Sequence, residues 1–541
     1  MLNDLESKLQ SLLERNINSV LELENWLLEE LRVNAEIEEE ITSSLIATYR
    51  DTNDKNKRNL HMYNQNTIQP LLKRYNAKFD QKFRECQFSD LLDEQKYGFM
   101  KKLRLAKSKM FNEKNIALSI KEQELITKYR EVMSNITINW EGEQKTYAYV
   151  KAKLDNPNRV IREKAWYALC KARSAVKMEI DCIMNELALN AGFHNYSEYA
   201  FKQKNRDYSI EDCYKLHESI EKYVVPIWKQ LGSISKKNLG VKTYRPWDLS
   251  PCHLPKVPFQ NAIDLLDGVE EMFRTTDLYF YEKFIYIGKA ELIDVEERRN
   301  KAPGAACFTL PHSKEVFVYS NFSPSFYAIN ALIHELGHAF HFYKQFNNDS
   351  SMQERYLREE VAELYSLSLE LLVMDKLNVF YKQEDEYKEV QRVQLYRALS
   401  LLMSSIAGDI FQHWLYANPN HTPKERDKKY AELCKRYQYS SVDIAGLEGE
   451  IGASWIESFH YVQFPFYKIE YAIAQIGAMQ LFQIYREDPE KAIAFFKEGA
   501  SADWNLSIQE IYINTGVAFD FSEERIQSTA RAILDLINEL K

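Results

Sequence analysis

"ALIHELGHAF", residues 331–340, sets His334, Glu335 and His338 in the order His-Glu-x-x-His within an otherwise apolar run. Ser323 is an N-cap candidate and Pro324 suits the first helical position, so the pattern predicts a helix from there to Phe346. Four residues apart on a helix, His334 and His338 project from one face one turn apart, and both imidazoles can reach a single tetrahedral cation. Glu335 falls on a neighbouring face, where it can take a proton from a water activated by such a metal. The alternative is chance, three polar residues sharing a helix, and a third ligand decides between the two.

His341 lies seven residues beyond His334, about two turns or roughly 10 Å along the axis, too far for an ion already held by 334 and 338. It is expected to support the site or to pack. Lys344 stands where a longer motif of this kind would carry its third histidine. The remaining candidates come from the next segment. "NNDSS" at Asn347–Ser351 predicts a break, and "MQERYLREEVAELYSLSLELL" from Met352 predicts a second amphipathic helix folded back on the first. It offers Glu359, Glu360, Glu363 and Glu370. Glu363 and Glu370 share a face with Ser366, amid Ala362, Leu367 and Leu369, so theirs is the buried side. A buried carboxylate needs a metal or a ligating histidine as partner. Glu363 is therefore the expected ligand. Glu370 is expected to hold a ligating histidine or to form a plain structural ion pair.

The rest of the chain fits an ordinary soluble globular protein. Hydrophobic residues make up 45% and charged residues 28% of 541 positions, which excludes a fibrous or disordered chain. A net charge of -9 without a basic stripe argues against nucleic acid as a partner. "MLNDLESKLQ" does not read as a signal peptide, and the longest apolar stretch, "ALSLLMSSIAG" from Ala398, is too short to cross a bilayer. Seven cysteines, at 86, 170, 182, 213, 252, 307 and 434, have no paired spacing and suit free thiols in a reducing cytosol, so a cytoplasmic protein is expected. Oligomeric state is not legible.

Helix-period patterning runs from Met1 to about Arg130 and predicts an N-terminal helical lobe over 1–150, with a catalytic region over 151–541. "KKNLGVKTYRPWDLSPCHLPK", 236–256, interrupts the pattern and reads as a long loop. "AELIDVEE", "GAACFTLP" and "EVFVYSNF" read as strands just ahead of the pentad. The expected fold is mainly α, with one small β-sheet beside the His-Glu-x-x-His helix. The edge of "EVFVYSNF" is expected to hold an extended peptide, with Gly304 and Ala305 leaving room beside it.

These residues resemble a known family, the zinc oligopeptidases that include thimet oligopeptidase, oligoendopeptidase F and the Pz-peptidases. "DVEERRNKAPGAACF", "VFVYSNF" and "ALIHELGHAFH" are similar to the family's active-site strand and helix, and "VAELYSLSLE" to its Glu-x-x-Ser-x-x-x-Glu segment. "RDYSIED" at Arg206, "YRPWDL" at Tyr244 and "SFHYVQFPFYKIEYAIAQIGA" at Ser458 extend the likeness from about residue 150 to the C-terminus. The resemblance implies an elongated multi-helix body with a deep substrate channel and one Zn2+ per chain on His334, His338 and Glu363. It assigns oxyanion and substrate contacts to His460, Tyr467 and Tyr471, while Lys468 stands where some relatives carry a second tyrosine. The implied activity is cleavage of internal bonds in short oligopeptides, with Glu335 as general base and then acid. The rivals are a zinc exopeptidase of the carboxypeptidase or dipeptidyl carboxypeptidase type, and a non-catalytic peptide-binding relative.

Overall fold

The computed structural model describes residues 2–173, 186, 189–190, 192–249, 255, 257–346, 358–503 and 505–540. The expected break at 347–351 and the first turns of the second helix, 352–357, lie outside the described residues. So do Cys182, Cys252 and most of 250–256.

An elongated, mainly helical body results. The helices that position the pentad are α1 (Val20–Arg50), α2 (Ile210–Asn238), α3 (Phe326–Phe346), α4 (Glu359–Leu372), α5 (Glu384–Ala417) and α6 (Lys468–Glu487). Where caps are seen they follow the usual chemistry: Ser19 accepts from Glu22 N–H at the start of α1, and Ser209 forms a reciprocal capping box with Asp212 on α2. The pentad helix ends at Phe346 as expected but begins at Phe326, two residues later than Pro324. Ser325 N–H donates to Ser323 carbonyl at 2.8 Å and the two hydroxyls bond at 2.8 Å, which closes a tight turn there and delays the first helical residue.

Two small sheets, rather than one, occur among the described residues. The hairpin β1 (Thr137–Trp140) and β2 (Glu143–Thr146) was not expected; it turns on Glu141 and Gly142, both at positive φ, the geometry that matches strand twist in a two-residue hairpin. The expected sheet is present as β3 (Ile293–Asp294), β4 (Ala306–Leu310) and β5 (Glu315–Tyr319) in the order β3-β5-β4. β5 is the central strand, parallel to β3 and antiparallel to β4 with Cys307 opposite Val318. "EVFVYSNF" is therefore the central strand and not an edge: β4 pairs with it along Glu315–Tyr319 and β3 at Val318 and Tyr319, and β3 and β4 are the outer strands.

Central placement explains the composition of β5, which is apolar on both faces. Val316 and Val318 enter the main core, while Phe317 and Tyr319 turn to a second cluster with Ile46 from the end of α1. That end is fastened down: Tyr49 carbonyl accepts from Ala302 N–H at 2.8 Å, and Arg50 pairs with Asp294 at 2.9 Å. The N-terminal helices thus reach the sheet that carries β4. They also keep an apolar core of their own, spanning Leu9 to Met100 and centred on Trp26 and Phe79.

The decisive packing is that of α3 on α4. A Cβ placed on Gly337 would lie 2.6 Å from Ser366 Cα and 3.0 Å from Tyr365 carbonyl oxygen, backbone atoms that cannot swing aside. Only glycine lets these helices approach so closely. Gly337→Ala is expected to force them apart and cost about 1–3 kcal/mol, the usual penalty for overpacking a rigid core. A lowered denaturation midpoint with unchanged helical circular dichroism would show it.

Candidate metal centre

α3 carries His334, Glu335 and His338 as the pentad requires, and α4 brings Glu363 against them. One ligand atom from each of His334, His338 and Glu363 lies within 4.8 Å of the others. His334 Nε2 stands 3.3 Å from Glu363 Oε2, His338 Nε2 stands 3.8 Å from Glu363 Oε1, and the two rings are nearly perpendicular at 4.9 Å. Two imidazole nitrogens and one carboxylate oxygen converging on one point are the donor set of a three-ligand zinc site with an open fourth position.

Each donor is oriented from behind. Glu370 Oε1 accepts from His334 Nδ1 at 2.9 Å, which leaves Nε2 facing Glu363, and Gln394 on α5 donates to the other oxygen of Glu370 at 2.9 Å. Glu363 is held from two sides: Ser366 hydroxyl donates to Oε2 at 2.9 Å and Tyr467 hydroxyl to Oε1 at 2.6 Å. Their partners remove the other two carboxylates from contention. Glu359 pairs with Lys204 at 3.3 Å, while Glu360 accepts from Tyr208 hydroxyl and faces Arg206 at 3.5 Å.

Charge is shared unevenly across this cluster. Burial works against the ionised form of Glu363, but His338 and His334 overcome it and bring the carboxyl down to about 2. Burial likewise opposes the charged form of His334, and hydrogen bonds to Glu363 and Glu370 lift it well above an ordinary imidazole. His338, for which burial wins, falls to about 4. Burial pushes Glu335 up to about 7, against the pull of His334 and a hydrogen bond from Cys307 N–H on β4. His341 is fully buried against Tyr365 at 4.4 Å, with burial drawing it to about 3. It stands in packing one helical turn beyond the triad.

The far wall is the segment 458–471. Tyr471 hydroxyl meets His460 Nε2 at 3.3 Å, and the rings of His460, Tyr467 and Tyr471 lie 5.1–5.5 Å from one another. Phe466 immediately precedes Tyr467. It adopts φ 60, a left-handed conformation costly for a residue with a Cβ, and is held there by its neighbours. Its N–H donates to Gln412 Oε1 at 2.9 Å, and its carbonyl accepts from Arg206 Nη2 at 2.5 Å. Its ring is fully buried beside His413 and Tyr416. Arg206, Gln412 and Gln394 escaped the reading of the sequence, since a lone buried arginine or glutamine has no spacing pattern; only "RDYSIED" hinted at Arg206. Gly304, at φ 107, and Ala305 directly precede β4, the strand whose Cys307 touches Glu335.

Glu363 and Glu370 favour the protonated form of His334, so a cation bound there must displace a proton. Protons compete more strongly as pH falls, so zinc affinity is expected to drop by roughly tenfold per pH unit below the raised His334 pKa. Calorimetric titration with zinc at neutral pH in buffers of different ionisation enthalpy should register about one proton released.

Comparisons with known proteins bear on the family and the fold. The model for peptidase family M3 matches residues 152–515. Among solved structures, Pz peptidase A with an inhibitor superposes with TM-score 0.91 at 23% identity, covering 100% of this chain and 97% of that one. A putative oligoendopeptidase F gives 0.91 at 22%, covering 99% and 97%, and another from Bacillus anthracis str. Ames gives 0.88 at 21%, covering 100% and 96%. At such identities these likenesses speak to the fold. No curated protein matches the chain in sequence.

Proposed function

The chain belongs to peptidase family M3, whose members are metallopeptidases, and from that premise we propose that it is a zinc-dependent endopeptidase of short oligopeptides. The observation that carries the reading is the convergence of His334, His338 and Glu363 with Glu335 beside them, on a wall of phenolic and imidazole donors. A bound Zn2+ would supply a Lewis acid to the scissile carbonyl and to the attacking water.

This chain's own groups do the rest. Glu335, poised near neutrality by burial, takes the proton of the attacking water and returns it to the leaving amine. Cys307 N–H fixes its orientation, and Glu370 fixes that of His334. The Tyr471 and His460 pair donates to the developing oxyanion. Tyr467, whose hydroxyl donates to Glu363 at 2.6 Å, acts by orienting that carboxylate in place of the catalytic role expected of it, and Tyr471, expected to bind substrate and itself within reach of Glu363, takes the oxyanion role. A peptide lies extended along the outer edge of β4, entering beside Gly304 and Ala305, where an added side chain at Gly304 would meet nothing within 4 Å. A channel between the helices would limit access to unfolded, short chains. No helix among the described residues is long and apolar enough to cross a membrane.

Glu335→Gln is expected to lower hydrolysis of a quenched fluorescent peptide by about two to four orders of magnitude while zinc content stays at one per chain. A zinc chelator should abolish the same activity reversibly, with products in mass spectra cut internally. Release of terminal residues alone would favour the exopeptidase, and stoichiometric zinc without any cleavage the binding protein.

The tyrosine assignment separates by two readouts. Tyr471→Phe should lower kcat by about two to three orders of magnitude with zinc affinity intact. Tyr467→Phe should weaken zinc binding by about ten- to a hundredfold, as loss of a group that orients a ligand does.

A further inference from the structure

Lys468 is the first residue of α6 and follows Tyr467 directly. Its stem is half-buried against α5, where Gly408 makes the room: a Cβ there would come within 3.0 Å of Lys468 Cγ. The ammonium lies 5.7 Å from the ring centre of Tyr471 and 6.0 Å from that of Tyr461. It therefore shares the wall formed by His460 and Tyr471. Lys204 is answered by Glu470 at 3.0 Å and Lys301 by Asp294 at 2.8 Å. Lys468 has no carboxylate within ion-pair distance among the described residues. Among the described residues the negative charge that acts on it is Glu363, and its own charge acts in turn on His460. Burial draws it down to about 8, which still leaves it protonated at neutral pH.

A half-buried ammonium without a counter-ion costs free energy that a bound anion can offset. The site already described binds peptides, and the anion a peptide offers is a carboxylate. We propose that Lys468 sets substrate preference by pairing with a carboxylate of the peptide, so that this enzyme favours substrates with a negative group on the side of the scissile bond that faces His460 and Tyr471. The inference rests on the peptidase reading. The carboxylate has two sources, the C-terminal α-carboxylate or an Asp or Glu side chain, and both offer the same oxygens to the same ammonium.

The test uses the zinc-loaded full chain and four versions of one quenched peptide: free C-terminus, C-terminal amide, and each of these with its internal acidic residue replaced by the corresponding amide. For the wild type, kcat/KM should favour the carboxylate-bearing member of the decisive pair by roughly tenfold to a hundredfold, the range of a hydrogen bond to a charged group. In Lys468→Met that ratio should fall to about one, and in Lys468→Arg it should be largely kept. A ratio lost between free acid and terminal amide assigns the terminus; one lost between internal acid and amide assigns the side chain. A ratio that is the same in Lys468→Met as in the wild type, or rates that fall equally on all four peptides, would overturn the inference while leaving the peptidase intact. A wild-type protein that cleaves none of them would overturn both.

Discussion

Everything at the centre of this protein depends on a backbone contact between two helices. Gly337 sits inside the pentad, one residue before His338, and its missing Cβ lets α3 ride against the chain of α4 at Tyr365 and Ser366. That separation puts Glu363 on the two histidines and Glu370 behind the first of them. A carboxylate is short, so a shift of an ångström between the helices would break the convergence, whatever the residue types. Glycine has a poor helix propensity, and here the cost is met by the dense packing of two apolar helices.

Around that contact the chain arranges three independent supports. The small sheet delivers β4, whose Cys307 N–H steadies Glu335, and the sheet is fastened by the end of α1. α5 contributes Gln394 behind Glu370 and Gln412 beneath Phe466. Arg206, from a turn more than two hundred and fifty residues away in sequence, clamps Phe466 in a conformation that it would not adopt alone. The wall of His460, Tyr467 and Tyr471 is thus held by the interior rather than by its own short helix. Such preorganisation is what the oxyanion role proposed for His460 and Tyr471 requires, because a donor that must first be oriented loses much of its advantage.

The parts of this design that follow a period were legible in the sequence. His-Glu-x-x-His on a helix, the second helix with Glu363, Ser366 and Glu370 on one face, and the three strands ahead of them all appear where the pattern placed them. The order of those strands did not follow from the sequence: hydrophobic alternation identifies a strand, but pairing is a long-range choice, and the strand expected at the edge is the central one. The helix start at Phe326 was displaced by a local serine turn, and the hairpin at 137–146 was hidden by its polar outer face. Residues that act from behind, such as Arg206, Gln394 and Gln412, carry no spacing at all. Their meaning exists only once distant segments meet.

Whether α3 and α4 together build a metal centre is read from anomalous diffraction at the zinc edge, with crystals of the loaded protein. One strong peak is expected at about 2.0–2.2 Å from His334, His338 and Glu363, with Glu370 outside bonding range. A peak on other residues, or an ion held by the two histidines without Glu363, would contradict it.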